Sequence, residues 1–155
     1  MKKISNDIIG FFENQGFVIV TTVDKNGSPH NSCKGIIKID PNGIIYLLDV
    51  YIQHTHENLK YNPNISITAV DEHKFKGYTL KGIARTPEHT TLDPGIIKAW
   101  EDRITGRLTS RLLKNIREEK GHPRHPEALF PKPEYMIVME VKEIVDLTPH
   151  NLKGA

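Results

Sequence analysis

The sequence has few of the features that mark an exported, disulfide-bonded or membrane-bound protein. Cys33 is the only cysteine in 155 residues, which excludes an internal disulfide bond and a metal site built from several thiolates of one chain. No apolar run approaches the roughly 20 residues of a membrane-spanning helix, and no signal-type apolar stretch follows the basic N-terminus. We therefore expect a soluble, cytoplasmic protein with no membrane partner.

Excess charge of one sign is also missing. The formal net charge is +2, from 21 Lys and Arg against 19 Asp and Glu. Nucleic-acid binding requires clustered basic residues rather than a slight excess. Basic residues do concentrate between Lys98 and Arg124, but they alternate with acidic ones in the manner of a solvated helix face. We expect no nucleic-acid partner.

What the sequence does contain is a series of short β-strand patterns. At 155 residues the chain has the length of one domain, spanning residues 1–155. Segments rich in β-branched residues predict strands at residues 17–23, 30–39, 44–48, 65–70, 78–84 and 135–141. Asn26-Gly27 and Asn42-Gly43 favour tight turns between the first three strands. The early strands therefore form an antiparallel meander.

Three helices are predicted around these strands. Ser5 is the N-cap of a short amphipathic helix closed by Gly16, and residues 55–61 form a second short helix. A long amphipathic helix begins at Asp93-Pro94 and ends near Gly121, before a proline-rich loop over residues 121–133. These elements indicate an α+β, mainly β fold, a small antiparallel β-barrel with flanking helices and one long helix before the last strand. The pattern leaves the barrel topology open.

Three further motifs carry a family resemblance. They are DKNGSPHNSCKG at residues 24–35, THENLKYNP at residues 55–63 and GYTLKGIA at residues 77–84. Their order and spacing resemble the FMN-binding split β-barrel family of pyridoxamine 5'-phosphate oxidase-like proteins, over roughly residues 17–85 and more loosely 135–149. The resemblance implies a split barrel that works as a homodimer and binds FMN in a cleft shared by the two subunits.

The resemblance assigns the first candidate cofactor residues. Ser32, Cys33 and Lys34 lie on the strand that resembles the family's flavin-contacting strand, where Ser32 and Lys34 are candidates for the ring edge and the phosphate. Cys33 stands where the family commonly has proline, and a lone strand cysteine is more often a small buried hydrophobe. Asp49 resembles a position that contacts the ribityl chain or the ring. Its alternative role is that of a turn residue.

A second group of candidates surrounds the short helix after the third strand. Gln53, His54 and Thr55 resemble the family's phosphate-binding segment, and a helix N-terminus favours an anion independently of any resemblance. Because this chain carries histidine where the family has arginine or lysine, we expect phosphate affinity to be weaker or to depend on pH, since histidine titrates near pH ~6.5. Thr55 has the alternative of simply capping the helix. Asn58 matches the family pattern, with a backbone-bonding role as its alternative.

Two features remain, a lysine-glycine pair with two alternatives of equal weight and a pair of histidines for which a metal site is not favoured. Lys81 precedes Gly82 on the fifth predicted strand, where glycine allows close approach of a ligand or of another backbone. Lys81 is therefore a cofactor candidate or part of a dimer interface. His122 and His125 could ligate a metal with other histidines, but no regular element fixes their spacing. We expect no metal site.

The function implied by the resemblance is electron transfer. We expect an FMN-dependent oxidoreductase that passes electrons between NAD(P)H or a redox partner and a small acceptor, with no catalytic acid or base identifiable. One alternative is a non-catalytic FMN-binding or electron-transfer protein. Another is the same barrel with the deazaflavin F420 or with haem, which would need an axial ligand such as histidine. The sequence does not identify the substrate, and the C-terminal arginine and histidine pattern of true pyridoxamine phosphate oxidases is missing.

Overall fold

The computed structural model of the protein describes residues 1–49, 53–88, 91–116 and 135–154, without the side chains of residues 104 and 107–116. Within these ranges six strands and three α-helices are present. The strands are β1 (Val18–Val23), β2 (Pro29–Asp40), β3 (Ile44–Leu48), β4 (Asn64–Asp71), β5 (Lys76–Arg85) and β6 (Ile137–Asp146). The helices are α1 (Asn6–Glu13), α2 (His54–Tyr61) and α3 (Pro94–Ile116), and a 3-10 turn covers His150–Leu152.

The six strands close into a barrel in the order β1-β2-β3-β6-β5-β4, and every neighbouring pair is antiparallel. The first three strands form the predicted meander. The last strand inserts between β3 and β5, and β4 pairs back with β1. This confirms the predicted mainly β barrel with flanking helices, and it supplies the topology that the sequence pattern left open.

The turns after β1 and β2 depend on glycine and aspartate. Gly27 and Gly43 have φ angles of 84° and 98°, which glycine adopts at little cost. The carboxylate of Asp24 accepts hydrogen bonds from the backbone N–H groups of Asn26 and Ser28 at 2.8 and 2.9 Å. Only the glycine of the Asn26-Gly27 pair has a positive φ, so the connection is an aspartate-stabilised loop rather than the two-residue hairpin turn that the dipeptide favoured.

The barrel interior is apolar and is closed by helices. Phe12 of α1 and Leu59 of α2 are buried in the same cluster as the inward-facing strand residues, of which Val20, Ile45, Ile67 and Leu80 are fully buried. Each such side chain stabilises the fold by about 1.5–3 kcal/mol relative to exposure. Ser5 caps α1 as predicted, but the helix ends at Glu13, with Asn14 rather than Gly16 in the capping position.

A smaller apolar cluster attaches the long helix to the outside of the barrel. Ile96 and Trp100 of α3 pack on Ile37, Leu48 and Met136. The sequence predicts that this helix also packs on the barrel through an apolar stripe, whose side chains lie outside the described ones: Ile104, Leu108 and Leu112. The predicted helix end near residue 121 and the loop at 121–133 lie outside the described residues. None of the described helices combines the length and the apolarity that a bilayer crossing requires.

Candidate functional site

The first half of β2 places its side chains alternately inside and outside the barrel. Ser32 pairs with Val20 of β1 and Lys34 pairs with Val18, and both valines are buried in the core. Directly paired residues of antiparallel strands share a face, so Ser32 and Lys34 point inward. Cys33, between them, is exposed on the outer face. The structure thus groups Ser32 with Lys34 and separates Cys33 from both.

A pair of hydroxyl groups joins β2 to the start of α2. Ser32 Oγ lies 3.1 Å from Thr55 Oγ1, and Thr55 is buried as the second residue of the helix. Gln53, the N-cap residue, makes no side-chain bond to the helix. No N-cap side chain therefore satisfies the backbone N–H groups of the first turn, which carry the positive end of the helix dipole.

Two imidazole rings lie beside this hydroxyl pair. His54 is the exposed first residue of α2, and His30 lies on the inner face of β2, two residues before Ser32. Their ring centroids are 5.3 Å apart. His54 is a predicted cofactor residue, whereas His30 was not among the predicted ones. The two-residue spacing of His30 and Ser32 on one strand was the signal that both face the same side.

Two of the predicted cofactor residues, Lys34 and Asp49, form a buried ion pair with each other. Lys34 Nζ donates to Asp49 Oδ1 at 2.6 Å, and the two side chains are only 9% and 3% exposed. The hydroxyl group of Tyr135 donates to the other carboxylate oxygen of Asp49. Burial, and then the bond to Asp49, raise the pKa of Tyr135 well above its usual value, so its proton stays in place at ordinary pH. Tyr135 was not predicted as a site residue, because its partner Asp49 lies 86 positions away.

His56 packs against this group. Its ring centroid lies 4.3 Å from that of Tyr135, and its Nδ1 atom is buried without a hydrogen-bond partner among the described residues. Burial, followed by the positive charge of Lys60, lowers the pKa of His56 despite the opposing effect of nearby carboxylates. The imidazole is therefore neutral near pH 7.

Asn58 occupies the buried side of α2. Its Nδ2 atom donates to Thr22 Oγ1 at 3.0 Å, and both residues are buried. This bond fastens α2 to β1 and so positions the Thr55 hydroxyl at Ser32. The contact is of the structural kind named as the alternative for Asn58, with a side chain rather than a backbone partner, and direct contact of Asn58 with a cofactor stays a prediction.

Lys81 lies on the outer face of the barrel, away from the Ser32–Thr55 pair. Its neighbours in the register are Ser66 on β4 and Glu143 on β6, and its Nζ lies 3.4 Å from Glu143 Oε2. Both charged side chains are about half exposed, so the pair contributes little stability. A shallow groove of about 380 Å³ runs beside them and includes Thr21, Ser66, Ile83 and Lys142. Within one chain Lys81 therefore does not lie with Ser32 and Thr55.

The approach of a neighbouring strand explains why residue 82 is glycine. A Cβ atom at this position would lie 2.0 Å from the backbone oxygen of Glu140 on β6. The pairing of β5 with β6 shifts register between Lys81 and Gly82. The glycine is therefore required by the approach of a neighbouring strand, which was one of the two possibilities that the sequence left open.

Among the side chains that the structure describes, no three His, Cys, Asp or Glu residues lie close enough to share a metal ion. His122 and His125 lie outside the described residues.

A closed six-strand antiparallel barrel with flanking helices defines a split-barrel protein. The family model for pyridoxamine 5'-phosphate oxidase matches residues 6–129. The chain therefore belongs to the pyridoxamine 5'-phosphate oxidase family.

Solved structures of similar fold come from proteins of several kinds. HupZ of Group A Streptococcus is 18% identical, with a TM-score of 0.66 and coverage of 94% of this chain and 95% of that one. An F420 reductase is 12% identical, with a TM-score of 0.57 and coverage of 92% and 98%. HutZ, the haem storage protein of Vibrio cholerae, is 17% identical, with a TM-score of 0.53 and coverage of 93% and 94%. At these identities the likeness shows the fold alone. No curated protein sequence matches the chain.

Proposed function

We propose that the protein is an FMN-dependent oxidoreductase whose phosphate subsite is the start of α2 together with β2. The observation that supports this most directly is the Ser32–Thr55 hydroxyl pair, 3.1 Å across, at a helix start without a side-chain cap. Hydroxyl groups and unpaired backbone N–H groups are donors suited to a phosphate monoester. The imidazole rings of His30 and His54, with centroids 5.3 Å apart, add hydrogen-bonding groups beside the hydroxyl pair.

The remaining inner residues have roles along the rest of the ligand. Lys34 has three N–H donors, of which Asp49 accepts one, so two donors are left for the ring edge or the ribityl chain. Bound FMN supplies hydride and one-electron transfer chemistry, and the protein supplies orientation and exclusion of water. Electrons pass between NAD(P)H or a redox partner and a small acceptor in this proposal. No side chain is assigned as a catalytic acid or base.

The site is completed by a second copy of the chain in this proposal. Three apolar side chains lie on the outer barrel face with exposures of 44%, 58% and 39%, namely Ile19, Val70 and Ile83. A two-fold interface that covers them would remove this apolar area from water. Lys81 and the groove beside it lie on the same face, so they would meet the partner rather than their own inner site.

The second candidate is the same cleft with another cofactor. It is favoured by the fold similarity to an F420 reductase and to a haem storage protein. Haem would require an axial ligand, for which His30 and His54 are the histidines nearest the hydroxyl pair. A non-catalytic FMN protein would use the same residues without a substrate.

The visible spectrum of the purified protein tests the proposal. FMN gives bands near about 370 and 450 nm, F420 gives one near about 420 nm, and haem gives a Soret band. The proposal expects the two flavin bands, either as purified or after addition of FMN to the protein. An F420 spectrum or a haem spectrum would instead support the second candidate and contradict the FMN proposal. Absence of catalysis with NAD(P)H and small acceptors in an FMN-loaded protein would leave the electron-transfer alternative.

A further inference from the structure

A continuous set of buried contacts connects the start of the last strand to the inner face of β2. Lys34 lies on β2, Asp49 directly follows β3, and Tyr135 lies two residues before β6. The side chains of Lys34 and Asp49 are 9% and 3% exposed, and Tyr135 is 4% exposed. Tyr135 also forms an isolated bridge with Glu88, which fixes its backbone.

The Asp49 carboxylate is held at both oxygens. Lys34 Nζ donates to Oδ1 at 2.6 Å, and the Tyr135 hydroxyl donates to Oδ2. Rotation of the carboxylate would break one of these bonds in a place where water is not available to replace it. The raised pKa of Tyr135 keeps its hydroxyl group a donor throughout the ordinary pH range. The acceptor for Lys34 therefore has one fixed position.

Fixing the acceptor also fixes the ammonium group. A lysine side chain is a flexible four-carbon stem, so its charge has a defined place only where a partner holds it. Lys34 and Ser32 are two residues apart on the same face of β2, which separates their Cα atoms by roughly 6.6 Å. The ammonium group that Asp49 holds therefore lies close enough to the Ser32–Thr55 pair for one FMN molecule to contact both.

We propose that Tyr135 is a positioning residue of the cofactor site, which orients Asp49 and through it places the ammonium group of Lys34 against the bound flavin. The inference rests on the proposed function for its ligand, but the link from Tyr135 to Lys34 is a property of the ligand-free protein. Tyr135 itself does not contact the cofactor. Its hydroxyl group preorganises a charge, so that FMN does not have to order it on binding.

The first test removes only the hydroxyl group. Tyr135→Phe keeps the ring that packs on His56, and Tyr46→Phe is the matched control, because Tyr46 is a half-buried β3 tyrosine without a hydrogen bond to any described residue. We expect Tyr135→Phe to raise the Kd for FMN about tenfold and to make the reduction potential of bound FMN more negative, because a fixed cation favours the reduced, more anionic flavin. Tyr46→Phe should change neither quantity. Unchanged affinity and potential in Tyr135→Phe would overturn the proposal.

A double-mutant cycle separates positioning from general destabilisation. Lys34→Met removes the charge that Tyr135 is proposed to place, so Tyr135→Phe should have no further effect on the Kd or the potential in that background. Full additivity of the two effects would show that Tyr135 acts by another route and would overturn the proposal. Asp49→Asn interrupts the same connection between Tyr135 and Lys34, so it should reproduce the loss of FMN affinity.

The ligand-free protein distinguishes failure of this inference from failure of the proposed function. Nuclear magnetic resonance of the Lys34 ammonium protons reports whether the group is held. We expect these protons to exchange slowly in the wild type and in Tyr46→Phe, and to exchange at least tenfold faster in Tyr135→Phe. Equal exchange in all three proteins would overturn the inference. A wild type with the slow signal that binds no FMN would instead contradict the proposed function.

Discussion

At the scale of single residues, the Thr55 hydroxyl is the group whose removal most directly tests the phosphate subsite. Thr55→Val keeps the shape of the side chain and removes the donor to an anion. Charge-assisted bonds to a phosphate contribute about 1.5–3 kcal/mol, so we expect the Kd for FMN to rise roughly 10- to 150-fold while riboflavin binding changes little. Fluorescence titration with both ligands measures this difference.

The barrel offers a matched control for that substitution. Thr68 and Thr79 form a second hydroxyl pair, 2.9 Å apart, on the outer face. Thr68→Val should therefore leave the Kd for FMN unchanged. An equal loss of affinity in Thr55→Val and Thr68→Val would mean that the loss reflects general stability and that the phosphate lies elsewhere.

Lys34 has a structural role that its sequence motif did not indicate. Loss of Lys34 leaves the Asp49 carboxylate buried, with the Tyr135 hydroxyl as its one remaining side-chain donor among the described residues, and breaking a buried ion pair typically costs about 3–5 kcal/mol. We expect Lys34→Ala to lower the free energy of unfolding by that order, in addition to weakening FMN binding. Urea unfolding of the ligand-free protein measures the first effect.

The partner substitution provides the control for Lys34. Adding Asp49→Asn to Lys34→Ala removes the unpaired charge, so the double variant should be more stable than Lys34→Ala alone. If Lys34→Ala unfolds at the same urea concentration as the wild type, the ion pair does not contribute to the fold as described.

At the scale of elements, the contact between β5 and β6 depends on one glycine. Gly82→Ala would place a Cβ atom 2.0 Å from the Glu140 backbone oxygen, which no side-chain rearrangement can relieve. We expect a loss of roughly 1–3 kcal/mol or more in the free energy of unfolding, because the strands must separate to accept the methyl group. Thermal or urea unfolding measures it.

Gly10 of α1 is the matched control for Gly82, since no neighbouring atom lies within 4 Å of the Cβ position there. Gly10→Ala should be neutral or stabilising by up to about 1 kcal/mol, because alanine favours the helix. A neutral Gly82→Ala would contradict the tight approach of β5 and β6.

The elements themselves were largely readable from local sequence. β3 has the predicted bounds, and α2 begins one residue before the predicted start, because β-branched runs and stop signals such as Asn62-Pro63 act over a few residues. The site was readable only in part. Period-two alternation along β2 places Ser32 with Lys34 and excludes Cys33, but the partners Asp49 and Tyr135 are brought in by strand pairing across 15 and 86 positions. No local propensity encodes such contacts.

At the scale of the whole molecule, the exposed apolar residues of the outer barrel face predict association. We expect light scattering at micromolar concentration to give about twice 17.6 kDa. Ile19→Lys would place a charge among these residues and should shift the protein toward the monomer, whereas Lys25→Glu in the loop after β1 should not. A monomeric wild type that binds FMN with full affinity would exclude the shared cleft.

The central proposal is that the site formed by β2 and the start of α2 binds FMN through its phosphate group. The most direct measurement is a titration of the purified, ligand-free wild type with FMN and with riboflavin, followed by flavin fluorescence and the visible spectrum. We predict saturable binding of FMN at one site per chain, with affinity at least about tenfold higher than for riboflavin. Equal affinity for the two flavins, or no flavin binding by a protein that takes up haem or F420 instead, would contradict the account.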